Sequence, residues 1–184
     1  YNAERNDLFA NSTAVKNTLI EEDYIPKVGL PVDVSIYRKV TGKKSRLSDM
    51  FEGENHPLYL NMRAAFWIKA FLSEHEGSEY KRLCFDSQEK RNYGMCLLNS
   101  SLFWWYWICI SECWHITQKE LNGFSVPNLN NYTQINQLAQ ALENALEQTK
   151  EYVGTKQVDY EYKHKNCTNE IHAIDDYIND LFGL

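Results

Sequence analysis

The last third of the chain carries apolar residues at three- and four-residue spacing, with glutamine, glutamate and asparagine between them. The stripe through Ile135, Leu142 and Leu146 predicts an amphipathic helix over residues 133–153. A second stripe predicts a final helix over residues 170–182. A helix with one apolar face buries that face, so both helices are expected to line the core.

Earlier in the chain the apolar runs are short. Between Ile36 and Phe71 they alternate with turn residues such as Thr41-Gly42 and His56-Pro57, a pattern that predicts strands. Residues 80–85, YKRLCF, predict another strand. A sheet is therefore expected in the first half of the molecule.

Polar residues with capping chemistry divide the aromatic region into helices. Ser87 can cap a helix that continues through Leu98. The short polar run 99–101, Asn-Ser-Ser, can end that helix and cap another that restarts at Leu102. A capping box over residues 117–120 and the glycine at position 123 predict a further short helix.

Length and composition favour one folded domain. The chain has 184 residues, of which 43% are hydrophobic and 14% aromatic, enough for a packed core. The net charge of −6 is uneven: residues 1–100 carry 14 basic and 14 acidic side chains, and residues 101–184 carry 5 and 11. An acidic half is unusual for a nucleic-acid-binding protein.

The five cysteines are irregularly spaced, which favours reduced thiols in a cytoplasm over a disulfide framework. Cys109, Cys113 and His115 raise the question of zinc, but a tetrahedral site needs a fourth ligand, so no metal site is predicted. The longest apolar run, residues 102–110, is far shorter than the roughly 20 residues that cross a bilayer. No membrane span is expected.

Several segments resemble one protein family. Residues 97–127 combine Leu-Asn-Ser-Ser-Leu-Phe, an aromatic run and Phe-Ser-Val-Pro. Residues 25–36, residues 58–70 and the closing stretch 174–184 occur in the matching order, with Phe182 where the family usually has tyrosine. Together they resemble the TaqI-like specificity domains, or target-recognition domains, of bacterial adenine-N6 DNA methyltransferases and fused type II restriction-modification enzymes.

With the apolar pattern, this resemblance implies an α+β fold. A twisted, mostly antiparallel sheet is expected largely from residues 25–85, flanked by the aromatic helices, with the two C-terminal helices packed together alongside. Residues 1–24 would be a linker or short helix from an upstream domain, and residues 25–184 the recognition domain.

The resemblance also implies a function. The chain would be an excised C-terminal portion that recognises specific double-stranded DNA for a methyltransferase domain, and for a nuclease domain if one is fused. The chain has no Asn-Pro-Pro-Tyr motif and no glycine-rich loop after a strand, so it is not expected to be an enzyme or to hold a cofactor itself. S-adenosylmethionine would bind in the catalytic domain.

Two groups of residues are candidates for contacting DNA. A basic stretch with a Thr-Gly tip is placed to meet phosphates, and side chains of base-reading type are placed to meet base edges, above all in the turn 111–117. The tryptophans could stack on bases, but core packing is favoured for them. The phosphate candidates are Arg38, Lys39, Lys43, Lys44 and Arg46, and the base-edge candidates are Asn61, Arg63, Lys69, Glu112, His115 and Lys119.

Two alternatives from other classes remain open. A protein-protein interaction module would use a helical stripe to bind a partner. A small enzyme or nuclease domain is the other alternative, because the tripeptides at 79–81 and 161–163 echo the acid-x-Lys ending of metal-dependent nucleases.

Overall fold

The computed structural model describes residues 12–20, 24–64, 67–155 and 160–184, together with Asp7 and Ala10. Helices and two small antiparallel sheets make up an α+β fold, as predicted. The elements are α1 (Pro31–Thr41), a 3₁₀ turn (Leu47–Met50), β1 (His56–Asn61), β2 (Lys69–Phe71), β3 (Tyr80–Phe85), α2 (Gln88–Asn99), α3 (Ser101–Ile110), α4 (Gln118–Gly123), α5 (Thr133–Gln148), β4 (Glu151–Tyr152), β5 (Tyr160–Glu161), a second 3₁₀ turn (His164–Asn166) and α6 (Thr168–Phe182).

The main sheet has three antiparallel strands in the order β2-β1-β3. Leu60 of β1 lies opposite Ala70 of β2, and Leu58 lies opposite Leu83 of β3. All four of these side chains are buried. The predicted strand over residues 80–85 is confirmed at both ends, and β1 and β2 fall within the region where strands were predicted.

Helix α1 corrects the prediction that strands begin at Ile36. Pro31 stands at the start of the helix, where its missing N–H costs nothing. The Asp33 carboxylate accepts a hydrogen bond from the backbone N–H of Leu30 at 2.9 Å. Tyr37 and Val40, three residues apart, are buried on one face. These start signals outweigh the short apolar alternation that suggested a strand.

Helix α2 lies between the sheet and the other helices. It contacts all three strands on one side and α3, α5 and α6 on the other, and every residue from position 92 to 99 is buried. Gly94 allows the close approach to the sheet, because a Cβ there would lie 2.5 Å from the Phe85 ring. Ser87 caps the helix as predicted, its Oγ accepting from the Lys90 N–H at 3.3 Å.

The Asn-Ser-Ser junction between α2 and α3 ties three parts of the fold together. The Asn99 amide accepts from the Ala70 N–H at 3.3 Å and donates to the Ala70 carbonyl at 2.9 Å. Ser100 Oγ accepts from the Phe103 N–H at 3.1 Å and caps α3. The Ser101 N–H donates to the Asp175 carboxylate of α6 at 2.7 Å. The predicted end and restart of the helix is confirmed.

Helices α5 and α6 pack against each other, as expected. The predicted helix 133–153 is five residues too long, because α5 ends at Gln148 and Glu151–Tyr152 pairs with Tyr160–Glu161 instead. Gly154 follows β4 with φ +56°, a conformation that favours glycine.

The structure also bears on the predicted linker, on the cysteines and on the predicted absence of a membrane span. Much of the predicted linker, residues 1–6, 8, 9, 11 and 21–23, lies outside the described residues. All five cysteines are free thiols. In the ranges that the structure describes, no helix has the length and apolarity to cross a bilayer, and no group of three His, Cys, Asp or Glu side chains could hold a metal ion.

Replacing Asn99 by Ala should lower the free energy of unfolding by about 2–4 kcal/mol, because both backbone groups of Ala70 lose their buried partner. Urea denaturation measures the change. Asn144→Ala is the matched control: this exposed amide on α5 accepts from Gln140 at 3.0 Å, so its loss should change stability by less than about 0.5 kcal/mol. Equal effects of the two substitutions would contradict the role given to Asn99.

Candidate nucleic-acid interface

The eleven side chains predicted to contact DNA lie in three parts of the structure, with Lys119 on α4 between the first two. The first part combines the end of β1 with the turn after α3. The second combines the end of α1 with the loop that follows it, and the third is strand β2. In that order they are Asn61, Arg63, Glu112 and His115; Arg38, Lys39, Lys43, Lys44 and Arg46; and Lys69.

The turn formed by residues 111–117 has a fixed backbone. Cys113 adopts φ 62°, in the left-handed region that residues other than glycine rarely occupy. Its N–H donates to Ser111 Oγ at 3.0 Å, and Lys27 Nζ donates to the Ser111 carbonyl at 2.6 Å. These bonds hold the first half of the turn on the end of α3.

The second half of the turn is joined to the chain that follows β1. Two backbone hydrogen bonds of 2.9 and 3.2 Å link residues 62–64 to residues 114–116. Arg63 lies opposite His115 in this antiparallel bridge. Residues that are about 50 positions apart in sequence thus become neighbours.

Trp114 is the most prominent side chain of the turn. It is 51% exposed, and the Arg63 guanidinium carbon lies 5.2 Å from the centre of its ring. The favoured core packing is wrong for Trp114, although it is right for Trp107, which is buried. An exposed indole beside a guanidinium gives a flat surface with a positive charge, suited to planar or anionic groups.

His115 has an acidic neighbour just before β3. Its Nε2 lies 3.7 Å from the Glu79 carboxylate. On β3, Lys81 Nζ donates to Gln118 Oε1 of α4 at 3.3 Å. His115, Glu79, Lys81 and Gln118 thus supply hydrogen-bond donors and acceptors in the segments that adjoin the turn.

Asn61 and Glu112, the other two base-edge candidates here, differ in whether their side chains already bond within the protein. Asn61 Oδ1 accepts from the Arg63 N–H at 2.9 Å, and its side chain also bonds Tyr80. Asn61 therefore shapes the backbone under Arg63. Glu112 is exposed at the top of the turn.

The basic stretch starts on helix α1 and continues into the loop after it. Arg38 and Lys39 are exposed in the last turn of α1, and Lys39 Nζ donates to the Gly183 carbonyl. Lys43 and Lys44 are exposed in the loop that follows. Of these four cations, Arg38, Lys43 and Lys44 are available for phosphates.

Arg46 is a structural residue. Its Nη1 donates to the Thr41 carbonyl at 2.7 Å, to Ser125 Oγ at 3.1 Å and to the Gly123 carbonyl at 3.2 Å. The Asp49 carboxylate accepts from its backbone N–H at 2.7 Å. The side chain joins the end of α1 to the end of α4 and is removed from the set of phosphate ligands.

Two more candidates are engaged elsewhere. Lys119 Nζ donates to the Ile110 carbonyl at 2.9 Å and lies 5.0 Å from the centre of the Tyr24 ring. Lys69, on β2, is half-buried, and burial lowers its pKa although the charge of Glu161 acts in the opposite direction. Burial, followed by the charge of Lys69, lowers the pKa of His164 to about 4. Lys69 thus belongs to a separate, largely buried environment.

The two exposed groups lie at opposite ends of α4. The 111–117 turn leads into the start of this helix, and residues 124 and 125 at its end bond to Leu47 and Val40 beside the basic loop. Six residues of α-helix span about 9 Å. The helix that joins the two groups is thus much shorter than one turn of duplex DNA, about 34 Å.

Comparisons with protein-family models, with curated proteins and with solved structures return no match to this chain. What bears on function is therefore the geometry of these residues and the resemblance of their sequence segments.

Sequence reasoning missed part of the site. It selected Arg63 and His115 by residue type but did not pair them, and it missed Glu79, Lys81 and Gln118. Strand alternation puts Lys81 on the same side of β3 as the buried Leu83 and Phe85, so the sequence pattern gave no signal that its amine reaches Gln118.

Arg46→Ala should lower the free energy of unfolding by about 2–3 kcal/mol, since three acceptors lose a charged donor. Lys43→Ala and Lys44→Ala should each change it by less than about 0.5 kcal/mol. Urea denaturation of the three variants measures the difference. A stable Arg46→Ala protein would return this residue to the phosphate-binding candidates.

Proposed function

We propose that this domain recognises specific sites in double-stranded DNA for an adenine-N6 DNA methyltransferase of a restriction-modification system. The observation that carries the proposal is the bridge between residues 62–64 and 114–116, which brings Arg63, Trp114 and His115 together on an exposed turn. The resemblance of residues 97–127 to TaqI-like specificity domains supports the same function.

Base reading would come from the 111–117 turn and its neighbour Arg63. An arginine can donate two hydrogen bonds to O6 and N7 of guanine in the major groove, and a carboxylate such as Glu112 can accept from N4 of cytosine. Stacking on Trp114 restricts the guanidinium of Arg63, which reduces the entropy lost when it binds a base. Arg63, Glu112 and His115 are the proposed readers.

Backbone positioning would come from the other end of α4. Lys43, Lys44 and Arg38 are exposed there and can neutralise phosphates. Such contacts set the register of the protein on the duplex without selecting a sequence. The excess of acidic over basic side chains lies after position 100, so the proposed contacts use mainly the electrically balanced half of the chain.

The chemistry would belong to a separate catalytic domain of the same polypeptide. That domain would bind S-adenosylmethionine and accept the target adenine once it has left the duplex, while this domain supplies site selection. Such enzymes act in the cytoplasm, which is compatible with the five free thiols.

A protein-interaction module is the second candidate. Ile20, Ile25, Leu30 and Val32 are 77%, 62%, 58% and 56% exposed, an unusual concentration of exposed apolar side chains near one end of the chain. In the DNA-recognition proposal these same side chains could contact the catalytic domain. DNA binding is therefore the property that separates the two candidate functions.

Lys43→Ala combined with Lys44→Ala should weaken binding about equally for all duplexes and should flatten the plot of log affinity against log salt by about 2 units. Fluorescence anisotropy of labelled duplexes over a range of salt concentrations measures the slope. Lys16→Ala combined with Lys165→Ala removes the same charge from exposed positions elsewhere and should leave the slope nearly unchanged. No DNA binding by the 184-residue chain at low salt would favour the interaction module.

Arg63→Ala, or His115→Ala, should alter the preferred base at one position of the site by about 1–3 kcal/mol, while affinity for unrelated duplexes stays nearly constant. Selection of bound duplexes from a randomised pool measures the preference. Arg82→Ala is the matched control, an exposed arginine on β3 that donates to the Glu54 carbonyl. If all three variants select the same sites as the unchanged protein, the turn does not read bases.

A further inference from the structure

A cleft of about 410 Å³ opens beside the basic loop and away from the 111–117 turn. We call it the Tyr132 cleft. Its walls come from the loop before the 3₁₀ turn at Leu47–Met50, from the start of α2, and from residues 126–132 that lead into α5. Its volume is in the range of small-molecule binding sites, about 300–1,000 Å³.

The floor of the cleft is apolar and aromatic. Tyr93 is buried, and its hydroxyl donates to the Pro127 carbonyl at 3.0 Å. Tyr132 is half-buried and meets Tyr93 edge to face, with ring centres 6.4 Å apart. Tyr132 therefore contributes a partly exposed aromatic ring to the cleft, and such rings stack on planar groups.

The walls are held in place by backbone bonds between distant segments. The Val126 N–H donates to the Ser45 carbonyl at 2.9 Å, and the Ser125 N–H donates to the Val40 carbonyl at 2.7 Å. Arg46 adds the side-chain bonds described above. These bonds fix the 126–132 wall to the wall formed by the loop before the 3₁₀ turn, which reduces the entropy cost of binding a ligand between them.

The rim carries polar groups of two kinds. Asn128 and Asn130 are exposed amides that offer paired donors and acceptors. Arg46 and Lys90 are the cations of the lining and Asp49 is its carboxylate, a net charge of +1 before the pairing of Lys90 with Asp86 is counted. Lys90 also pairs with Asp86 at 2.5 Å, and Lys43 and Lys44 precede the lining residue Ser45.

We propose that the Tyr132 cleft binds a nucleobase that carries a 5′-phosphate. The base stacks on Tyr132, the amides of Asn128 and Asn130 bond to its edge, and the phosphate lies toward Lys90 and the basic loop. A free nucleotide and an unpaired nucleotide of a DNA strand share this chemistry. The base-binding part of the site is distinct from the proposed duplex-reading turn, and only the basic loop is shared with the proposed contacts to duplex phosphates.

The test is a titration of the 184-residue chain, followed by heteronuclear NMR. The probes are the four nucleoside 5′-monophosphates, the corresponding nucleosides and a short single-stranded oligonucleotide. At least one monophosphate should bind saturably, should shift the amide signals of residues 126–132, and should bind several-fold more tightly than its nucleoside. Equal binding of nucleoside and monophosphate would overturn the phosphate part of the proposal.

Tyr132→Ala should weaken this binding about tenfold or more, as expected for loss of one stacking contact. Tyr152→Ala is the control, since this tyrosine is 72% exposed on β4 and outside the cleft. Asn130→Ala, a change at an exposed position, should weaken binding several-fold without unfolding the protein. Binding that survives both cleft substitutions, or no shift of residues 126–132 with any probe, overturns the proposal.

The titration distinguishes a free nucleotide from an unpaired nucleotide of a DNA strand. Saturable binding of a monophosphate but not of the oligonucleotide assigns the site to a free nucleotide, and binding of both at the same residues assigns it to an unpaired strand. Either result supports the proposal. The selection experiment with Arg63→Ala tests the proposed function separately from the cleft, because the cleft variants should leave the preferred duplex sequence unchanged.

Discussion

The Asn99 side chain bonds both the N–H and the carbonyl of Ala70, and much of the structure is organised around this contact. A side-chain amide here takes the place of a neighbouring strand at the edge of the sheet, in a site where both backbone groups are buried and water cannot satisfy them. Because Asn99 also ends α2, the same contact sets where α3 begins. Ser101 and Asp175 then fix α6 against that point.

The exposed features follow from this arrangement. Helix α3 ends in the 111–117 turn, which reaches back to the chain after β1, so the position of the junction decides which side chains meet Arg63. Helix α4 then carries the chain to Ser125, which bonds the basic loop. The turn and the Tyr132 cleft are therefore two surfaces of one framework.

Much of the secondary structure could be predicted. Helix α2 and its Ser87 cap, the restart after residue 101 and strand β3 follow from local capping chemistry and short-range periodicity. The predictions failed where two local signals competed. Pro31 and Asp33 favoured a helix against apolar alternation, and α5 stopped at Gln148 because the next residues pair with a strand that lies later in the chain.

The sequence by itself determined the fold class, the apolar stripes and the residue types available for binding, because these depend on composition and on spacing within a few residues. Only the tertiary structure decided what each side chain does. Lys43 and Arg46 are three positions apart, yet Lys43 is exposed while Arg46 is held by acceptors at positions 41, 123 and 125. Trp107 and Trp114 are divided in the same way, one buried and one exposed. Partners that come from distant positions cannot be read from local spacing.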